Sequence, residues 1–227
     1  MDGYDFRRRR YRNKLTPAVK IVKKVLTKSS LGARLKLRGY FMNIHKLIEV
    51  VNYMLKKYEY RLNYTKLLKM LYLADRQSYD DTGSPITGDT YTALKAGPIL
   101  SNTYNLIRNK GNQNDQNLWN SRFLKDAYDL VALTDKIPCN TLSDYEKEVL
   151  DGIDSKFHNY TFTDLIEYTH ANCPEWKAPK DSALPISIES ILQALGKSPD
   201  EIAFIIEEEE SFAQEEAALA QLSELNA

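Results

Sequence analysis

Three short stretches carry residue types whose spacing could do chemistry. His170-Ala171-Asn172-Cys173 sets an imidazole and a thiol three residues apart, on one face if the segment is helical. A structural zinc site needs four ligands, and Cys139, His45 and His158 lie far away in the sequence. A Cys173–His170 nucleophilic pair lacks any surrounding nucleophile motif. Gly83-Ser84-Pro85-Ile86-Thr87-Gly88-Asp89-Thr90 has the glycine spacing of a phosphate loop. It places Asp89 where that loop needs lysine, and a carboxylate there repels phosphate, so a nucleotide site is excluded. Asp75-Arg76 admits three readings: an ion pair, a partner-facing surface, or an arginine on the last carbonyls of a helix. No connected acid, base, nucleophile or metal set emerges, so an enzyme is the weakest class and no cofactor or metal is expected.

The elements that must position these residues are mostly helical. Leu67, Leu68, Leu71 and Tyr72 form one apolar stripe, with Thr65 as the expected cap and Asp80 to Pro85 as the stop. Ile86 to Leu94 reads as a loop or short extended piece. Gly97-Pro98 is a second breaker, and Ser101 is the expected cap of the next helix. Upstream, Ile44, Leu47, Ile48, Val51, Met54 and Leu55 recur at helical spacing. Residues 111–117 are polar and read as a mobile loop, whereas Leu130 to Ile137 reads as a strand. Helices follow from Leu142-Ser143-Asp144 and from Thr161, the latter broken by Pro174, and a last one spans Ile186 to Leu195. Structural duty explains most of these positions: Tyr72, Gly88, Gly97, Pro98, His170 and Trp176 are expected to set backbone shape and turns.

The leucine helix ending in Tyr72-Leu73-Ala74-Asp75-Arg76, then Pro85-Ile86-Thr87-Gly88-Asp89-Thr90-Tyr91, then Ala96-Gly97-Pro98, resembles the Panacea domain. The likeness runs from about Asn43 to about Leu195 and includes His170-x-x-x-Pro174-x-Trp176. That family supplies the antitoxin part of many bacterial and phage toxin–antitoxin pairs. The resemblance implies a non-enzymatic, cytoplasmic protein that neutralises a cognate toxin, encoded by an adjacent gene, through direct binding. Toxin identity does not follow from it, because similar antitoxin domains face unrelated toxins. The expected fold is mainly α: a compact helical domain over residues 43–196 with a minor β element, a basic N-terminal extension over 1–42 and an acidic C-terminal helical extension over 197–227. Asp75, Arg76, Thr87, Asp89 and Tyr91, on the polar connection between two helices, are the candidate partner contacts within the domain.

Charge adds candidates at the ends. The chain is formally neutral, yet residues 1–43 hold 13 Lys/Arg against two Asp, and residues 198–227 hold nine Asp/Glu and no Lys/Arg. Arg8, Arg9 and Arg10 lie in a basic cluster, and Lys23 and Lys24 lie on the polar side of a short amphipathic helix following Pro17. A cluster of this kind suits phosphate, anionic lipid or an acidic protein surface, and it reads equally well as a solvated terminus. Three rivals to toxin binding stand: a nucleic-acid-binding autoregulator using Arg7–Arg38, a membrane-surface protein held by residues 17–28, and, as the family resemblance implies, an adaptor that delivers a partner to a protease. The basic and acidic ends could also pair with each other, which demands close docking because screening acts over about 8–10 Å. No apolar run reaches the roughly 20 residues of a membrane span, no secretory leader is evident, and two cysteines make no disulfide framework.

Overall fold

In the computed structural model, the described residues are 42–180 and 182–211. The expected basic helix and the arginine cluster, including Arg8, Arg9, Arg10, Lys23 and Lys24, lie outside them, as does the proposed pairing of the two charged ends. The element order is α1 (Ile44–Lys56), β1 (Arg61–Asn63), α2 (Tyr64–Thr82), β2 (Tyr91–Leu94), β3 (Gly97–Leu100), α3 (Ser101–Ile107), α4 (Gln113–Asn120), β4 (Phe123–Asp126), β5 (Asp129–Ala132), α5 (Asp144–Phe157), α6 (Phe162–Asn172), β6 (Leu184–Ile186) and α7 (Ile188–Ala194). A further helical run, α8, covers residues 199–211. The architecture is mixed but mainly helical.

α2 is the axis of the core. Leu67, Leu68, Met70, Leu71, Tyr72 and Ala74 are all buried, so the helix is covered on nearly every side along its first three turns. It packs against α5, α6, α7 and β3. A helix buried all round is expected when its apolar residues exceed one stripe. α1 adds Leu47, Val50, Val51, Met54 and Leu55 to the same core.

The β content exceeds the single minor element expected. Two antiparallel three-stranded sheets form, in the orders β1-β5-β4 and β3-β2-β6. In the second, Tyr91 pairs with Leu100 on one side and Ile186 on the other. The stretch over Ile86 to Leu94, read as a loop or short extended piece, is both: it begins as a connection and ends in the central strand of a sheet. The apolar run at 130–137 is strand only over Asp129–Ala132, where β5 finds partners on both sides.

Helix starts needed three corrections. Asn63, not Thr65, caps α2: its Oδ1 accepts from the Thr65 and Lys66 amides at 3.0 and 3.2 Å. The polar run at 111–117 opens a helix, because the Asn112 side chain accepts from the Asp115 amide. Amide-bearing side chains that favour loops in an unpatterned stretch also make good caps. Ser101 is the first residue of α3 and supplies no cap; the group that does so lies in the candidate site. The capping boxes at Ser143/Glu146 and Thr161/Asp164 start α5 and α6 where expected.

A buried polar frame as candidate functional site

The connection between α2 and β2 is built around one carboxylate. Asp75 is fully buried on the inner side of α2. Its Oδ1 accepts from the backbone amides of Ile86 and Thr87, both at 2.9 Å. Its Oδ2 accepts from the Thr87 hydroxyl and, at 3.0 Å, from the Tyr91 hydroxyl. Burial pushes the Asp75 carboxyl up to about 6, against these donors, which favour the charged form. The amides of Ile86 and Thr87, which a phosphate loop would turn toward its ligand, are therefore already taken.

Asp89 performs a second, remote duty. Its Oδ1 accepts from the amides of Thr90 (2.6 Å) and Asn102 (2.8 Å), and its Oδ2 accepts from the amide and hydroxyl of Thr103 at 2.8 and 2.7 Å. Asn102 and Thr103 are the second and third residues of α3, so this carboxylate caps the helix from twelve positions before its first residue. A negative group at a helix start also suits the helix dipole. Burial raises the Asp89 carboxyl, opposed first by the Thr103 hydroxyl.

On the adjoining face of α2, the polar groups are less completely matched. Arg76 does not pair with Asp75; its Nε donates to Glu175 Oε1 at 2.9 Å, and the Tyr72 hydroxyl donates to the same oxygen at 2.7 Å. Glu175 Oε2 is buried without a partner among the described residues. Lys69 is wholly buried, and its Nζ donates to the Pro98 carbonyl at 3.2 Å. Burial pushes that ammonium down to about 8. Gly97, at φ 99°, is held to glycine twice over: the backbone is left-handed, and an added Cβ would stand 2.6 Å from Lys69 Nζ. His170 stacks on Trp176 with ring centroids 3.8 Å apart, and the indole N–H donates to the Leu94 carbonyl at 2.9 Å. Burial lowers the imidazole's proton affinity, and its Nε2 is a further buried atom lacking a partner among the described residues. Cys173 lies buried nearby with its thiol pushed up to about 12, chiefly by burial. Among the described residues, no group of three or more His, Cys, Asp or Glu is placed to hold a metal ion.

This frame coincides with a known family. Residues 67–177 match the family described as Antitoxin SocA-like, Panacea domain. Over these residues the chain resembles a Panacea domain. No curated protein and no solved structure matches the chain.

Within the Panacea domain, the candidate contacts separate into two groups. Asp75, Thr87, Asp89 and Tyr91 are interior and bonded to one another or to backbone, so in this conformation they shape the connection without offering their side chains to a partner. Arg76 is only partly covered. Gly97, Pro98, His170 and Trp176 lie at or against the β2–β3 hairpin, Tyr72 packs on Tyr91 of β2, and Gly88 turns the connection at φ 65°. Glu175 and Lys69 were missed. Their signal is slight: a single charge inside an otherwise apolar helical stripe, and a glutamate between Pro174 and Trp176.

Proposed function

We propose that this protein is an antitoxin that neutralises a cognate toxin by direct protein–protein binding and without catalysis. The observation that carries this reading is the Panacea match over the stretch that builds the Asp75 and Asp89 frame. Two buried carboxylates spend eight hydrogen bonds on holding the polar connection and the start of α3. Such rigidity suits a platform whose outer residues meet a partner, because a pre-ordered surface loses less freedom on binding. In this reading Asp75, Thr87, Asp89 and Tyr91 act through the backbone they fix, and Arg76 stands at the rim. Arg8, Arg9, Arg10, Lys23 and Lys24, in the extension before residue 43, supply partner-specific contact. The toxin is the product of an adjacent gene, and the pair meets in the cytoplasm.

Growth of cells expressing the adjacent reading frame, with and without this protein, tests the proposal. Toxicity that the protein rescues, together with recovery of the two products as a complex, is the expected outcome. Rescue without a complex contradicts direct binding; rescue lost in a protease-deficient host would favour protease delivery. Steeply salt-dependent DNA binding by the full chain would favour autoregulation.

A further inference from the structure

α8, residues 199–211, is seated on the Panacea domain beyond the residues that match the family. Ile202, Ile205 and Ile206 face the core and Glu209 follows one turn on, a spacing of i, i+3, i+4 and i+7 that makes a single helix face. Phe204, on another side, is 62% exposed. The seat is the C-terminal end of α2. Ile205 lies over Gly83, the left-handed cap of that helix, so closely that a Cβ on Gly83 would stand 3.0 Å from Ile205 Cγ1. Lys197 anchors the approach through the Asp80 carbonyl and carboxylate, at 2.7 and 2.8 Å.

The contact reaches the polar frame. Glu209 is 6% exposed and lies beside Tyr79, whose ring meets edge to face, at 6.4 Å between centroids, the ring of Tyr91, the donor to Asp75. The helix thus reaches, through the packed rings of Tyr79 and Tyr91, the carboxylate that holds the α2–β2 connection. The seating is nevertheless imperfect. Glu209 Oε1 is buried without a partner among the described residues, and the Glu189 carboxylate on α7 adds repulsion to the burial that raises Glu209. Three half-buried isoleucines and one under-satisfied carboxylate make a contact that can open without unfolding the core.

We infer that the end of α2, around Tyr79 and Gly83, is a helix-binding site of the Panacea domain, which this chain fills with its own residues 199–211. The partner it fits is an amphipathic helix with apolar residues at i, i+3 and i+4 and a side chain at i+7 that can be buried beside Tyr79. The inference rests on the reading of the domain as a protein-binding platform, and it assigns that platform a face. A tethered helix competes at an effective concentration of about a millimolar, so an external helix gains access when the internal one is weakened.

The test uses the full chain and a fluorescein-labelled peptide of residues 199–211, followed by anisotropy. The chain carrying Ile205→Asp should bind the peptide about 10-fold more tightly than the unaltered chain, and a peptide carrying the same change should lose that gain. Equal binding by both chains, or by neither, overturns the inference. Should I205D fail to fold by circular dichroism, hydrogen exchange of the unaltered chain decides. Amides of 199–211 should exchange about 10-fold or more faster than those of the α2 core; exchange at the core's rate overturns the site. Neither measurement involves a toxin, so failure here leaves the antitoxin test standing, and failure there leaves this one standing.

Discussion

Asp75 and Glu175 are both buried carboxylates that meet α2, and they are held very differently. Asp75 receives four hydrogen bonds, two from backbone amides and two from hydroxyls, and both its oxygens are engaged. Glu175 receives two on one oxygen and leaves the other buried and unmatched among the described residues. The neighbourhoods follow suit. Beside Asp75 stands Asp89, similarly saturated, whereas near Glu175 stand Lys69 and His170, with a single long bond to Pro98 and an unmatched Nε2. A fully satisfied network rigidifies what it binds, and a partly satisfied one leaves groups with little to lose by rearranging. The α2–β2 connection is therefore held at every carboxylate oxygen, and the α6 end beside the β2–β3 hairpin is held at fewer points.

The contrast sets an order of expected effects. Asp75→Ala should be the most damaging single change, costing about 3 kcal/mol or more, because it strands two buried amides and two hydroxyls. Asp75→Asn, which keeps an acceptor for the Ile86 and Thr87 amides, should recover a large part of that loss in chemical denaturation. Equal damage from both would make the charge, not the bonds, the cause. Asp89→Ala should cost about 1–3 kcal/mol and fall locally, with faster hydrogen exchange over Asn102 and Thr103. Arg76→Ala comes next, at about 1–2 kcal/mol: the Tyr72 hydroxyl still serves Glu175, so the network loosens without emptying. Lys69→Met should change stability by no more than about 1 kcal/mol, since a buried ammonium with one long bond gains little over an apolar chain of similar length. A loss from K69M as large as that from D75A would erase the distinction between the two sides.

The smallest effect belongs to pH and to α8. Burial pushes the Glu209 carboxyl up to about 7 from its ordinary 4.5, so the docked helix favours the protonated acid. Its contribution to docking is complete below about 4.5, falls as pH rises between the two values and is gone above about 7. Exchange of the 199–211 amides should therefore quicken, beyond the intrinsic pH dependence of exchange, between about pH 4.5 and 7, and Glu209→Gln should flatten that response.

Legibility in the sequence followed the range of the interaction. The α2 stripe, the capping boxes and the breakers at Gly83 and Gly97 are local, and they were readable because helix period and turn chemistry act over a few residues. The bonds that define the frame are not local. Asp89 caps a helix it precedes by twelve residues, and Glu175 reaches Tyr72 across 103 positions of chain. Ser101 looked like the cap because a hydroxyl beside a helix start is the ordinary solution; the remote carboxylate took over the amides instead. Asp75, Thr87, Asp89 and Tyr91 stood out by type and clustering, which revealed that they act together and could not reveal that they face inward. The helical extension over 197–227 could be read locally, but not where Ile202, Ile205 and Ile206 dock, since their cover comes from a different part of the chain.

The central claim is direct neutralisation by a rigid platform, and one titration addresses it. Purified full-length protein is mixed with the purified product of the adjacent gene, and complex formation is followed by calorimetry alongside the toxin's own activity. The expected result is saturable binding whose stoichiometric point coincides with loss of that activity. Protection of cells by a protein that forms no complex in this titration would contradict it.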